Sequence, residues 1–231
     1  MIQIVEVVLD IETTGLSIKE GHRIIEVGCI ELIDRKKTGR TFHRYINPQR
    51  LVDPEARAVH GIKDDFLRDK PLFGEIANEL RDFIGDAYII AHNGLGFDIP
   101  FLNHEFGTSG ISLLPINKVI DTLVLARKLY PGSPASLDAL CKKFGVNLSD
   151  RIVHGALVDA LLLTNVYTTI KAPTQGEIFI ANESKATYHH EVTMDRFESK
   201  RSVYLSIDEA SMHENMLQKL SNPLWKKLKE K

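Results

Sequence analysis

The stretch that most limits what this chain can become is its opening run, residues 5–16, VEVVLDIETTGL. Its apolar, β-branched start reads as a strand, and residues two apart on a strand share a face. Asp10 and Glu12 therefore stand side by side where the strand ends. Two carboxylates that close repel each other unless one keeps its proton or a cation lies between them. Thr13, Thr14 and Gly15 follow, so the backbone turns beside the acids. A pair of acids at a strand end, followed by a tight turn, suits a hard divalent metal. A solvated strand end is the plainer alternative for D-x-E taken alone, and the rest of the chain has to decide.

The chain has 231 residues, 43% hydrophobic and 26% charged, enough for one substantial core and an appendage. Its formal net charge of −2 is low for a protein held on nucleic acid by its own basic surface. Nucleic-acid binding must then lean on metals, local geometry or a partner. MIQIVEVVLD has no positively charged region and no long apolar stretch, so no signal peptide is expected. No run approaches a transmembrane span, and a cytoplasmic protein without membrane contact is expected. Cys29 and Cys141 stand far apart with no C-x-x-C, as in buried, reduced thiols.

Residues 23–33 read as a second strand, 34–39 as a polar hairpin turn and 40–46 as a third strand. Residues 54–60 read as a short helix or turn. Residues 72–84 carry apolar side chains at 72, 73, 76, 80, 83 and 84, the spacing of an amphipathic helix. A short buried strand at 87–91, a glycine-rich loop at 92–98 and a helix at 99–106 follow. Residues 118–121 read as a last strand, and 122–129, 136–144 and 156–171 as helices. An antiparallel start followed by alternating strands and helices indicates an α/β fold with helices against one mixed sheet. From Ala172 the periodicity lapses. The chain thus divides into a domain at 1–171, a flexible linker at 172–205 and a tail at 206–231.

Two further stretches carry chemistry. In HNGLGFDIPF, G-L-G after a strand invites a dinucleotide-binding reading, but Ile99 occupies the third glycine position, so that reading fails. Asp98 sits near a helix start, as an N-terminal cap or as a third carboxylate for the metal. In VHGALVDALLLTNVY, Asp159 lies on an apolar helical face with Ala156, Leu162 and Leu163. A carboxylate there needs a partner, either a cation or an Arg or Lys. Within one helix His154 and Asp159 would lie about 140° apart. His154, beside Gly155, is therefore placed on the loop entering the helix, able to swing toward the acids. Imidazole titrates near working pH, which suits a general base.

D-x-E-T-T-G, H-N-x-x-x-F-D and H-x-x-x-x-D, in this order, resemble the three motifs of the DEDDh exonuclease family. GHRIIEVGCIEL, LVDPEARAVHGI, FLRDKPLF, SLDALCKKF and HGALVDA are similar to the proofreading exonuclease subunits of bacterial DNA polymerase III. The resemblance spans residues 3–170 and, more weakly, the tail. It implies a ribonuclease-H-like fold, a five-stranded mixed sheet flanked by helices, with a flexible C-terminal linker and tail helix. It implies 3′→5′ hydrolysis of mispaired ends of single-stranded or frayed DNA to nucleoside 5′-monophosphates. Asp10, Glu12, Asp98 and Asp159 would hold two divalent cations, Mg²⁺ or Mn²⁺, with His154 as general base. Thr13, Leu16, Glu55 and His60 would border the terminal nucleotide, together with Asp10, Glu12 and Asp159. HNGLGFD departs from relatives that carry Ala or Pro beside the Phe, and Gly94 and Gly96 are expected to loosen the loop holding Asp98. An RNA-trimming DEDDh exonuclease would share all five catalytic residues, and a non-catalytic polymerase scaffold is the reading from another class.

Two partner segments lie beyond the domain. Gln175 to Phe179, QGEIF, resembles the Q-x-x-aliphatic-F peptides that bind the sliding clamp. In the tail, Ser206 and Glu209 form a capping box, and Met212, Met216 and Leu220 a stripe. Trp225 lies among lysines and is the expected anchor on the polymerase III catalytic subunit.

Overall fold

The computed structural model describes residues 3–148 and 154–170. The linker, the clamp peptide and the tail expected at 172–231 lie outside the described residues. Three strands open the chain, β1 (Val5–Thr13), β2 (Ile24–Ile33) and β3 (Lys36–Tyr45), as an antiparallel meander. β4 (Tyr88–Ala91) then runs parallel to β1, and β5 (Val119–Asp121) parallel to β4. The order β3-β2-β1-β4-β5 makes the expected five-stranded mixed sheet.

Strand alternation decides what each face carries. Val7, Leu9 and Ile11 of β1 point into a core closed by α3 (Phe73–Ile84) and α4 (Asp98–Thr108). Val8, with Ile30, Leu32 and Ile90, points the other way onto Ala160, Leu163 and Tyr167 of α7 (Ala156–Ile170). Glu6, Asp10 and Glu12 are in phase with Val8, so every acid of β1 lies on the α7 face. A smaller apolar cluster joins α7 to α5 (Thr122–Leu129) and α6 (Leu137–Phe144). Buried Glu105 of α4 takes a bidentate ion pair from Arg23, at 2.6 and 2.7 Å, which fastens that helix to the start of β2.

The structure moves several expected boundaries. β1 ends at Thr13, where the pairing register slips between Glu12 and Thr13. The hairpin turn is only Asp34 and Arg35, with φ of 50° and 64°, so β3 begins at Lys36. Two adjacent positive φ values match a two-residue turn whose twist suits the strands. Neither residue is a glycine, and Gly39, which suggested a longer turn, lies inside β3. Besides α1 (Pro54–His60), a four-residue α2 (Asp64–Leu67) appears, too short to leave a periodic signal. No helix among the described residues is long and apolar enough to cross a membrane.

Candidate active site

The strand acids meet the helix because one residue of β2 has no side chain. Gly28 is the register partner of Asp10. A Cβ there would stand 2.3 Å from the Leu157 amide nitrogen and 2.4 Å from the Ala156 carbonyl carbon. The first turn of α7 therefore rests directly on the strand backbone. Gly155 begins that turn, since its carbonyl accepts the Asp159 N–H at 2.9 Å. Asp159 is buried in the first turn, against the strand acids.

Asp98 arrives from the third side. It is the first residue of α4, and the preceding Phe97 occupies the cap position, so Asp98 is not the cap. Its carboxyl is tethered by backbone hydrogen bonds from its own amide and from Ile11, between Asp10 and Glu12. The loop before it is close-packed. Asp121 accepts hydrogen bonds from the Asn93 and Leu95 amides, both at 3.1 Å, while also capping α5. A Cβ on Gly94 would stand 2.4 Å from the Ala91 Cβ, and one on Gly96 2.8 Å from the Asn93 Oδ1. The glycines thus let this loop pack tightly, and the loosening expected from them gives way to a pinned turn.

The electrostatics record the crowding. Asp10 is raised well above the usual carboxyl range, by burial first and then by Asp98, Glu12, Asp159 and Glu26. Asp98 is pushed up to about 7, chiefly by burial, against the pull of its backbone hydrogen bonds. Glu12, His154 and Asp159 each offer a ligand atom within 4.8 Å of the others. Hard oxygen donors of one sign, converging and partly desolvated, fit a divalent cation. His154 lies just ahead of α7, and its Nδ1 is 3.0 Å from Asp159 Oδ2.

Beside the acids opens a pocket of about 380 Å³. Glu12, Thr13, Leu16, Glu55 and His60, all named from the sequence, line it together. Leu16 projects from its rim, 84% exposed. His60 is buried, and the Ile62 amide donates to its Nδ1 at 3.0 Å. A neutral ring so held carries its proton on Nε2. That nitrogen is buried and turned toward the Thr13 backbone. Burial lowers the pKa of this ring, although Glu26 and the Thr13 backbone oppose the shift.

Among the other lining residues, His22, Asp53 and Phe97 were not legible as site residues. His22 packs so closely under the turn that a Cβ on Gly15 would stand 2.3 Å from its ring. The Thr14 hydroxyl accepts from the Arg23 amide at 3.0 Å and shares a 3.0 Å hydrogen bond with His22 Nδ1. The other ring nitrogen, Nε2, faces Asp53 at 3.4 Å and Glu20 at 3.6 Å. The one available signal was a glycine followed seven residues later by a histidine across a turn, and it has no periodicity.

An exonuclease family model of the RNase T type matches residues 7–167. DNA polymerase III subunit epsilon of Rickettsia felis is 48% identical over 185 residues, covering 79% of this chain and 80% of that relative. The protein of the same name from Salmonella typhimurium is 42% identical over 223 residues, covering 92% and 91%. Among solved structures, the nuclease domain of 3′hExo, a DEDDh family member bound to rAMP, superposes with a TM-score of 0.62. That match covers 72% of this chain and 90% of the other at 20% identity, which shows a shared ribonuclease-H-like fold.

Proposed function

We infer that this chain, which belongs to the exonuclease family, is the proofreading 3′→5′ exonuclease subunit of a bacterial DNA polymerase III. One observation carries the residue-level reading: Asp10 is ringed by Asp98, Glu12 and Asp159, with His154 hydrogen-bonded to the last of these. The four carboxylates would hold two divalent cations, Mg²⁺ or Mn²⁺, which when bound activate water and stabilise the leaving oxygen.

The chain's own groups do the rest. The Asp159 carboxylate can only accept, so His154 donates through Nδ1 and its basic lone pair falls on Nε2. His154 Nε2 takes the proton of the attacking water. Water adds to the terminal phosphorus, the bond to the 3′-oxygen of the penultimate nucleotide breaks, and a nucleoside 5′-monophosphate leaves. Thr13 and Leu16 meet the terminal sugar and base, with Leu16 as a wedge, and Glu55 borders the same nucleotide. His60 lines the same pocket and borders the nucleotide as well. A frayed 3′ end costs less to unpair and thread into this pocket, which favours mismatches.

Release of 5′-monophosphates from a mispaired primer, with and without divalent metal, tests this reading. Metal-independent release, or no preference for the mispaired end, would count against it. Comparing 3′-terminal deoxynucleotides with ribonucleotides separates it from an RNA-trimming role. Outside the described residues, we assign polymerase docking to residues 206–231 and clamp binding to Gln175 and Phe179 within 175–179. Trp225→Ala should weaken polymerase binding about tenfold or more, since a buried Trp anchor costs about 2 kcal/mol on truncation. Activity on free oligonucleotides should not change. Full-affinity binding by a chain ending near residue 172 would remove the tail as tether.

A further inference from the structure

Behind the catalytic acids lies a carboxylate that the mechanism does not use. Glu26 is the register partner of Glu12 and only 2% exposed. Its Oε1 takes a hydrogen bond from His43 Nε2 at 2.7 Å. Its Oε2 is buried, and the side chain of Tyr45, the register partner of Glu26 on β3, is turned to the same carboxylate. Strand phase puts Glu26 on the α7 face, two residues from Gly28, on which the helix rests. Its position there is specific: a Cβ on Gly155 would lie 3.9 Å from each Glu26 oxygen.

Gly155 is the cap residue of α7, since its carbonyl accepts the first helical hydrogen bond. A glycine has no side chain to accept from the first free N–H groups of the helix. Those groups and the aligned peptide dipoles make the start of a 15-residue helix positive. Cations gathered by Asp10, Glu12 and Asp159 would approach that same positive end. Asp159 puts one acid in the first turn, and Glu26 adds a buried anion directly beneath Gly155.

We propose that Glu26 is a positioning residue: its carboxylate, set under Gly155, takes the place of the cap side chain that Gly155 lacks, and it fixes His154 and Asp159 against the strand acids. The proposal rests on His154 being the general base. In this role Glu26 acts through the helix start, in addition to its charge on Asp10 and His60.

The test uses the full chain with Glu26→Gln, which keeps the shape and removes the charge, and Glu26→Asp, which keeps the charge and shortens the side chain. At saturating metal, Glu26→Gln should lower kcat about tenfold with KM unchanged, the scale of a charge at a partly buried helix end. Glu26→Asp should retain more kcat than Glu26→Gln. In metal-free protein, the His154 imidazole ¹⁵N resonances, assigned by their loss in His154→Ala, should move in the Gln variant. Equal or greater kcat in Gln than in Asp overturns the proposal, as do unchanged kcat and resonances in Gln. If melting shows that the Gln variant does not fold, the Asp variant decides. His154 resonances at their wild-type positions support the proposal, and displaced ones overturn it. Full turnover in His154→Ala would instead remove the base assignment, leaving the resonances to judge Glu26.

Discussion

Glu6 and Asp10 lie four residues apart on one strand, on one face, beneath one helix, and their surroundings differ completely. Glu6 is 5% exposed, and its Oε1 accepts a 2.5 Å hydrogen bond from the Tyr167 hydroxyl. Burial and that bond hold the Tyr167 proton firmly in place. Asp10 meets Asp98, Glu12 and Asp159 instead. Tyr167 and Asp159 are two turns apart on α7, which runs back along β1 from the acid end to the Glu6 end. One end of this strand–helix pair gives its carboxylate a hydrogen-bond donor inside the chain. The other gathers like charges that folding alone does not favour, so the missing partner has to come from solution. A buried carboxylate by itself says little about function, and the sign of what surrounds it says a great deal.

The contrast can be broken most severely at the acid end. Asp10→Ala or Asp159→Ala should abolish exonuclease activity while the fold persists, because removing one acid relieves repulsion among the rest. Circular dichroism and melting check the fold, and near-normal turnover in Asp10→Ala would sink the metal scheme. His154→Ala should slow turnover by about 10²–10⁴ while divalent-metal affinity stays close to wild type. Activity restored by excess metal would make His154 a ligand and not a base.

Titration sharpens the comparison next. The Asp98 carboxyl, near 7 in the fold against 3.8 ordinarily, keeps a proton that the unfolded chain releases. Its contribution to metal-free stability is therefore greatest below the ordinary value and is lost as pH rises toward about 7. Melting in chelator across that window should show wild type losing ground to Asp98→Asn as pH rises, and added divalent metal should reverse the trend. A difference between the two that does not vary with pH would refute this account. The smallest effect belongs to the other end. Tyr167→Phe leaves Glu6 without its donor and should cost about 1–3 kcal/mol of stability. Its kcat should match wild type, and a fall in kcat at constant stability would mean that the two ends are not independent.

Much of the acid end was legible because the relevant residues obey a period. Asp10 and Glu12 fall on one face by the two-residue repeat of a strand, and Asp159 on a buried face by helical spacing. His154 was legible as a loop residue for the same reason, since no helix could bring it beside Asp159. Glu26 was hidden inside a run of residues that all read as buried strand, where a lone acid has no partner visible in sequence. Asp121 acts through four backbone N–H groups, and backbone donors leave no trace in residue identity. The short turn at Asp34 and Arg35 escaped because its positive φ values fall on residues that do not advertise them. Gly28 did carry a signal, a glycine interrupting a β-branched strand, which is where another backbone comes close.

Gly28 also sets a tolerance. Where side chains separate two elements, the gap between them can be tuned by exchanging one side chain for another. Here the Leu157 nitrogen would stand 2.3 Å from any Cβ at position 28, so backbone faces backbone and the clearance has no adjustable part. The span across which Asp10 and Asp159 would share an ion is then set by covalent dimensions, like the jaw of a fixed wrench. Even alanine at 28 would pry the jaw open by its one extra carbon, with every acid still present and Asp159 carried away from Asp10 and Glu12.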